Sequence, residues 1–187
     1  MVRCFHPVLV LAAIAVGASG VPAHAAYTGV EHAVASLLLS EGTYTPILGA
    51  KLVDDLPAVS REIADLAAWR LEDGLQRKSE YLSDLNAWLC RALGEVRSRR
   101  YQPLLERAVA QALTSGSRRH CEQAAALARA GTDAQPFEAA LFPIDAVRVE
   151  INGIAAQQPF PPDHVSNVAL TESLASVIGR LRDAMPA

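Results

Sequence analysis

Aromatic residues make up only 5% of this 187-residue chain, and cysteine occurs three times. β-Branched runs of the kind that build strands are sparse as well. The charge is nearly balanced, with 17 basic against 20 acidic residues, so there is no electrostatic reason to expect nucleic acid or an anionic membrane surface as a partner. No apolar run reaches the roughly 20 residues that span a bilayer. Catalytic signatures are missing too: there is no Gly-x-Ser-x-Gly elbow, no phosphate-cradling glycine loop and no zinc-protease helix. His32, His120 and His164 each lack a second ligand at helical spacing. His120 directly precedes Cys121, but adjacent helical residues point about 100° apart and cannot grip one ion together. These absences lead to the expectation of no catalytic, cofactor-binding or metal-ligating residues.

What is present begins with an export signal. Arg3 precedes an apolar run from Val8 to Val16, and Pro22 leads into Ala23-His24-Ala25, a small-x-small site for signal peptidase. Residues 1–25 then read as a cleaved signal, with the cut between Ala25 and Ala26. Residues 26–187 read as one all-α domain, periplasmic or secreted, with no stable membrane insertion after cleavage. Cys4 and Arg3 leave with the signal, so 16 basic residues face 20 acidic ones in the mature protein.

A hydrophobic fraction of 51%, dominated by Ala and Leu, favours helices through its low side-chain entropy cost. The spacing predicts a helix over Gly29 to Leu39 and a short one over Ile47 to Val53. A third is predicted to start from a cap at Asp54 or Asp55, with Pro57 in its first turn, and to stop at Asp73-Gly74. The Asp54-Asp55 pair is better explained by that capping than by acid chemistry, and Glu72-Asp73 by a solvated helix end. A fourth covers Ser79 to Val96, with Leu85, Trp88, Leu89, Ala92 and Leu93 as its apolar stripe. A fifth has Pro103 in its first turn and Leu104, Leu105, Ala108, Val109, Ala112 and Leu113 on one face. The sixth covers Arg118 to Ala130, is closed by Gly131, and carries Cys121, Ala124, Ala125 and Ala128. Prolines divide the remainder before a last helix from about Val165 to Met185.

Two of these pairs repeat. Leu85, Trp88, Leu89 and Ala92 map onto Cys121, Ala124, Ala125 and Ala128 at a shift of 36 residues, while Ile63, Leu66, Ala67 and Leu71 map onto Tyr101, Leu104, Leu105 and Val109 at 38. A helical hairpin repeating at this length is the mark of an α-solenoid. The strings Ala87-Trp88-Leu89-Cys90-Arg91-Ala92-Leu93-Gly94, Pro103-Leu104-Leu105-Glu106 and Arg118-Arg119 resemble the HEAT-repeat family, including its short bacterial variety. The resemblance covers about residues 60–131. It lacks the usual aspartate before Arg118, and residues 132–187 read as degenerate or capping helices. It implies a short HEAT-like stack of antiparallel helix pairs with flanking helices. The alternative is an irregular helical bundle, which would carry the same stripes.

Candidate contacts for a partner are Trp69, which falls beside its stripe and so suits a groove, and two arginine clusters. Arg97, Arg99 and Arg100 occupy a link between helices, and Arg118 and Arg119 open the following helix, one helix length away, so the clusters are expected on opposite edges. Their plainest reading is as solvated turn residues. Cys90 and Cys121 raise a conflict. The oxidising compartment favours a bridge between them. The 36-residue register opposes it, since Cys121 corresponds to Leu85 and Cys90 stands five residues further, about 7.5 Å along the axis. Helix axes about 8–10 Å apart with that offset exceed the Cα separation of about 4.4–6.8 Å that a disulfide needs. The pair therefore tests the register: a Cys90–Cys121 bond would count against it and favour the irregular bundle.

The function that follows is an exported, non-enzymatic scaffold acting on an unidentified protein partner. A periplasmic immunity-type protein neutralising a bacterial toxin is the second reading, and an enzyme or enzyme-accessory role the third. Export gives the first testable outcome: protein recovered from the cell envelope should start at Ala26 by intact mass, and recovery of Met1 or Arg3 would refute the signal.

Overall fold

The computed structural model describes residue 27, residues 29–133 and residues 135–157, with side chains through Ile151. The expected signal, its cleavage site at Ala25–Ala26 and the helix expected over 165–185 lie outside these residues. Within them the chain is all-α, with seven α-helices and three single 3-10 turns. α1 (Gly29–Leu39) and α2 (Tyr44–Asp55) form a first pair, α3 (Arg61–Gln76) and α4 (Ser83–Glu95) a second, and α5 (Gln102–Gln111) and α6 (Ser115–Arg129) a third. α2, α4 and α6 pack on one another in sequence to make one layer, and α1, α3 and α5 make the other. α7 (Ile144–Gln157) returns onto α1, and the 3-10 turn at Ala139–Leu141 lies against α3.

The start of α3 shows how local chemistry sets boundaries. Asp54 and Asp55 close α2, and Pro57 lies in the loop beyond it, so the expected aspartate cap does not form. Ser60 caps α3 instead, its hydroxyl accepting from the Ile63 amide at 3.4 Å. At the other end, Asp73-Gly74 does not stop the helix, which continues to Gln76 because Gly74 is packed under Asn86 rather than placed at a turn. Thr114 caps α6 in the same way as Ser60, accepting from Ser117 at 3.2 Å.

The core runs between the layers. α4 lies at its centre, contacted by α2, α3 and α6, and consequently buries Leu85, Leu89, Cys90, Ala92 and Leu93 completely. Trp88, expected on that stripe, is only half-buried. It shares the opposite side of α4 with exposed Asp84 and Arg91, one turn away on either side. Leu113 is 55% exposed because α5 ends before it, at Gln111. The α6 face of Cys121, Ala124, Ala125 and Ala128 is buried as expected.

α4 and α6 approach more closely than any leucine-lined pair could. A methyl group on Gly94 would lie 2.8 Å from the Cα of Ala124. One turn earlier on each helix, Cys90 and Cys121 are joined in a disulfide with their Cα atoms 5.0 Å apart. This overturns the register expected from the repeat and favours the irregular bundle over a regular HEAT-like stack. Residues equivalent under a repeat hold equivalent places in their own hairpins, but they need not lie level with each other. Cys121 is level with Cys90, not Leu85, so α6 is displaced by five residues along α4, about 7.5 Å. Small residues at the crossing also remove the 8–10 Å axis spacing on which the objection rested.

The connections repeat as well. Lys78 follows α3 with φ 47°, and Arg97 follows α4 with φ 51°. Each is succeeded by an extended serine, Ser79 (φ −107°, ψ 126°) or Ser98 (φ −106°, ψ 125°), and by a 3-10 turn leading into the next helix. Gly131, just past α6, packs so tightly against the second of these elbows that an added Cβ would lie 2.1 Å from the Arg97 carbonyl oxygen.

Replacing Cys90 and Cys121 together by Ala should lower stability to unfolding by about 2–4 kcal/mol, the usual effect of opening a loop of this size. Chemical denaturation of oxidised wild type against the double variant measures it. Gly94→Ala should cost about 1–3 kcal/mol by overpacking the same crossing.

Candidate functional site

The candidate site is built on the solvent side of the α2/α4/α6 layer, around Trp88. Lys51 from α2 and Arg91 from α4 each place their charge 4.7 Å from the centroid of its indole ring. Arg91 is itself held by Asp54 of α2 at 2.9 Å. Burial pushes the Asp54 carboxyl above its ordinary value, and the Arg91 charge opposes that shift without overcoming it. The indole thus contacts two cations while part of its surface faces solvent.

Beside it opens a cleft of about 170 Å³ between α4 and the start of α6, lined by Asp84, Trp88, Arg91, Thr114, Gly116 and His120 among others. The His120 Nδ1 atom is buried there without a hydrogen-bond partner. The first amides of α6 lie on the same wall, where helix ends leave backbone donors unmatched. An aromatic surface, a guanidinium and an unmatched ring nitrogen therefore converge within one shallow recess.

The residues singled out in the sequence are dispersed around the molecule. Arg118 and Arg119 are exposed in the first turns of α6, next to this cleft in the chain. Arg99 donates to the Arg129 carbonyl at the far end of α6 at 3.2 Å, 11 residues from Arg118 and about 16 Å along the helix. The two arginine clusters thus occupy opposite ends of α6, as their spacing implies. Arg97 is the elbow residue with positive φ. Trp69 does face a groove, but on the other layer, where Phe142 stacks on it with centroids 6.5 Å apart and Arg148 lies 5.4 Å from its ring.

Arg100, expected among the partner contacts, is consumed internally. Its Nε and Nη2 grip Asp65 of α3 at 2.9 and 3.1 Å, and its Nη1 donates to the carbonyls of Gln135 and Pro136. The Tyr101 hydroxyl donates to the same carboxylate at 2.8 Å. Phe137 completes the junction, its amide donating to the Arg100 carbonyl at 2.9 Å and its ring lying 6.1 Å from Tyr101. A bidentate pair with a carboxylate is the geometry for which a guanidinium is best suited, and the bonding to Asp65 holds Arg100 above its ordinary value. Sequence reasoning missed Lys51 and Asp54 at the Trp88 site because both come from a helix 34 or more residues earlier. Nothing in local spacing pairs them with α4.

Burial, then the Asp65 charge, raises Tyr101 well above the ordinary tyrosine value of 10.0. A raised folded-state value means that the stabilisation is complete below about pH 10 and is lost as pH rises beyond it. Tyr101→Phe should lose about 1.5–3 kcal/mol at pH 7 through the missing bond to a charged acceptor. It should also lose stability less steeply than wild type above pH 10, which denaturation curves at pH 7 and pH 10.5 compare. Tyr27, raised by burial first, adds to the alkaline slope of both proteins equally. Compared with known proteins, the chain matches no family model, no curated protein and no solved structure.

Proposed function

We propose that this chain is an exported, non-enzymatic helical scaffold, and that it binds another protein through the face centred on Trp88. The observation that carries this reading is the part-exposed indole of Trp88, contacted by Lys51 and Arg91 beside an open cleft. Association normally costs side-chain ordering, and the contacts to Lys51 and Arg91 reduce that cost for Trp88. Tryptophan and arginine are also the residues that most often dominate binding energy at protein interfaces. The flanking cations favour a partner segment that sets an acidic side chain beside an apolar one. The stacked pairs and the Cys90–Cys121 bond support the same reading, because they keep α2, α4 and α6 in fixed relation under the site.

Periplasmic extract passed over immobilised mature protein should yield a partner whose retention falls at least tenfold with Trp88→Ala and less with Arg99→Ala. Trp88 is half-buried, so circular dichroism and an intact disulfide serve to check that the variant is folded. Equal retention by wild type and both variants would remove Trp88 from the interface.

A further inference from the structure

A second cleft lies on the other side of the molecule and takes no part in the Trp88 face. It holds about 310 Å³ between the α1–α2 turn, α3 and α7, and three of its lining residues are Arg70, Arg77 and Arg148. Arg70 is the most informative. Its side chain is only 7% exposed, yet its Nε atom is buried without a hydrogen-bond partner. Its other nitrogens are used, one on Asp73 and one on the Gly42 carbonyl at 3.4 Å. Burial lowers the Arg70 guanidinium from its ordinary value, Asp73 opposes that, and the charges of Arg77 and Arg148 lower it again. Three like charges are therefore held within reach of each other.

Asp73 answers only part of this, since its two oxygens are shared between Arg70 and Arg77. Asp145 lies 3.8 Å from Arg148 and is 94% exposed, which makes it a solvated and weak partner. Arg77 and Arg148 line the cleft, are more than half exposed, and have more N–H donors than their carboxylate partners occupy. The α1–α2 turn that also lines the cleft has the reverse character. Glu41 is exposed there, and α1 ends at Leu39 with its negative dipole end beside it. A dianion would meet that turn unfavourably, whereas a ligand carrying a carboxylate for the arginines and an ammonium for Glu41 satisfies both.

We infer that this cleft binds a small zwitterion, with its carboxylate on Arg77 and Arg148, attracted as well by the buried charge of Arg70 behind them, and its ammonium toward Glu41. A free α-amino acid and a short peptide share that chemistry and differ in the separation of their charges. The test uses Trp88→Phe protein, in which Trp69 at the cleft is the remaining tryptophan. Its emission is titrated with L-alanine, Ala-Ala, Ala-Ala-Ala, alanine amide, N-acetylalanine and inorganic phosphate. At least one of the first three should saturate the signal, and the length that binds most tightly identifies the source. The amide and the acetylated form should each bind at least fivefold more weakly than alanine. Arg77→Ala and Arg148→Ala, both at exposed positions, should weaken the preferred zwitterion at least fivefold without altering the circular dichroism spectrum. Failure of all three zwitterions to saturate, equal binding of alanine and its amide, or a preference for phosphate would overturn the proposal. None of these outcomes bears on the Trp88 face.

Discussion

The close crossing of α4 and α6 is the constraint on which the rest of the structure depends. Gly94 has no room for a side chain against Ala124, and one turn away the two cysteines convert contact into a covalent bond. α4 touches α2 and α3 as well, so fixing α6 to it fixes one whole layer. Aliphatic packing tolerates small slides at little cost, because it has no preferred direction. The disulfide does not, and it removes the freedom that a small-residue interface leaves.

On the other layer, order comes from polar groups. Asp65 gathers Arg100 and Tyr101 onto α3, and Arg100 in turn holds the backbone of the segment at 135–137. Phe137 and Phe142 then pave the way to Trp69, and Val147 and Ile151 of α7 enter the core. A proline-rich stretch with little capacity for regular structure is thereby laid across the helices. The two layers use different chemistry for the same end.

Much of this was legible in the sequence. The bounds of α1, Pro103 at the start of α5, and the buried face of α6 all follow from local propensity and 3.6-residue spacing. Trp88 was misplaced because positions 85, 88, 89 and 92 fit one stripe whether or not 88 belongs to it, and only the neighbouring helices decide which edge is covered. Asp54 was misread because an aspartate near a proline matches a cap signal, while its true partner, Arg91, lies 37 residues on. The five-residue offset of α6 could not be read at all. A repeat reports what is equivalent, and the level at which two helices meet is set by which small residues allow contact. Of the two clefts, the sequence pointed only to Trp69. The arginines around it fall on α3, just past its end and on α7, the last more than 70 positions from the others, and in sequence they look like ordinary surface charges.

The paired elbows at Lys78 and Arg97 have a consequence for how such a chain can change in length. They stand 19 residues apart, and the same joint serves inside a hairpin at one place and between hairpins at the other. The joint therefore carries no instruction about which helices are partners. Loss or duplication of one 19-residue module would preserve every backbone conformation at the junctions, yet it would send each later helix to the wrong layer. Only a change of two such modules together would return the later helices to their original layers, because the joint itself does not distinguish one layer from the other.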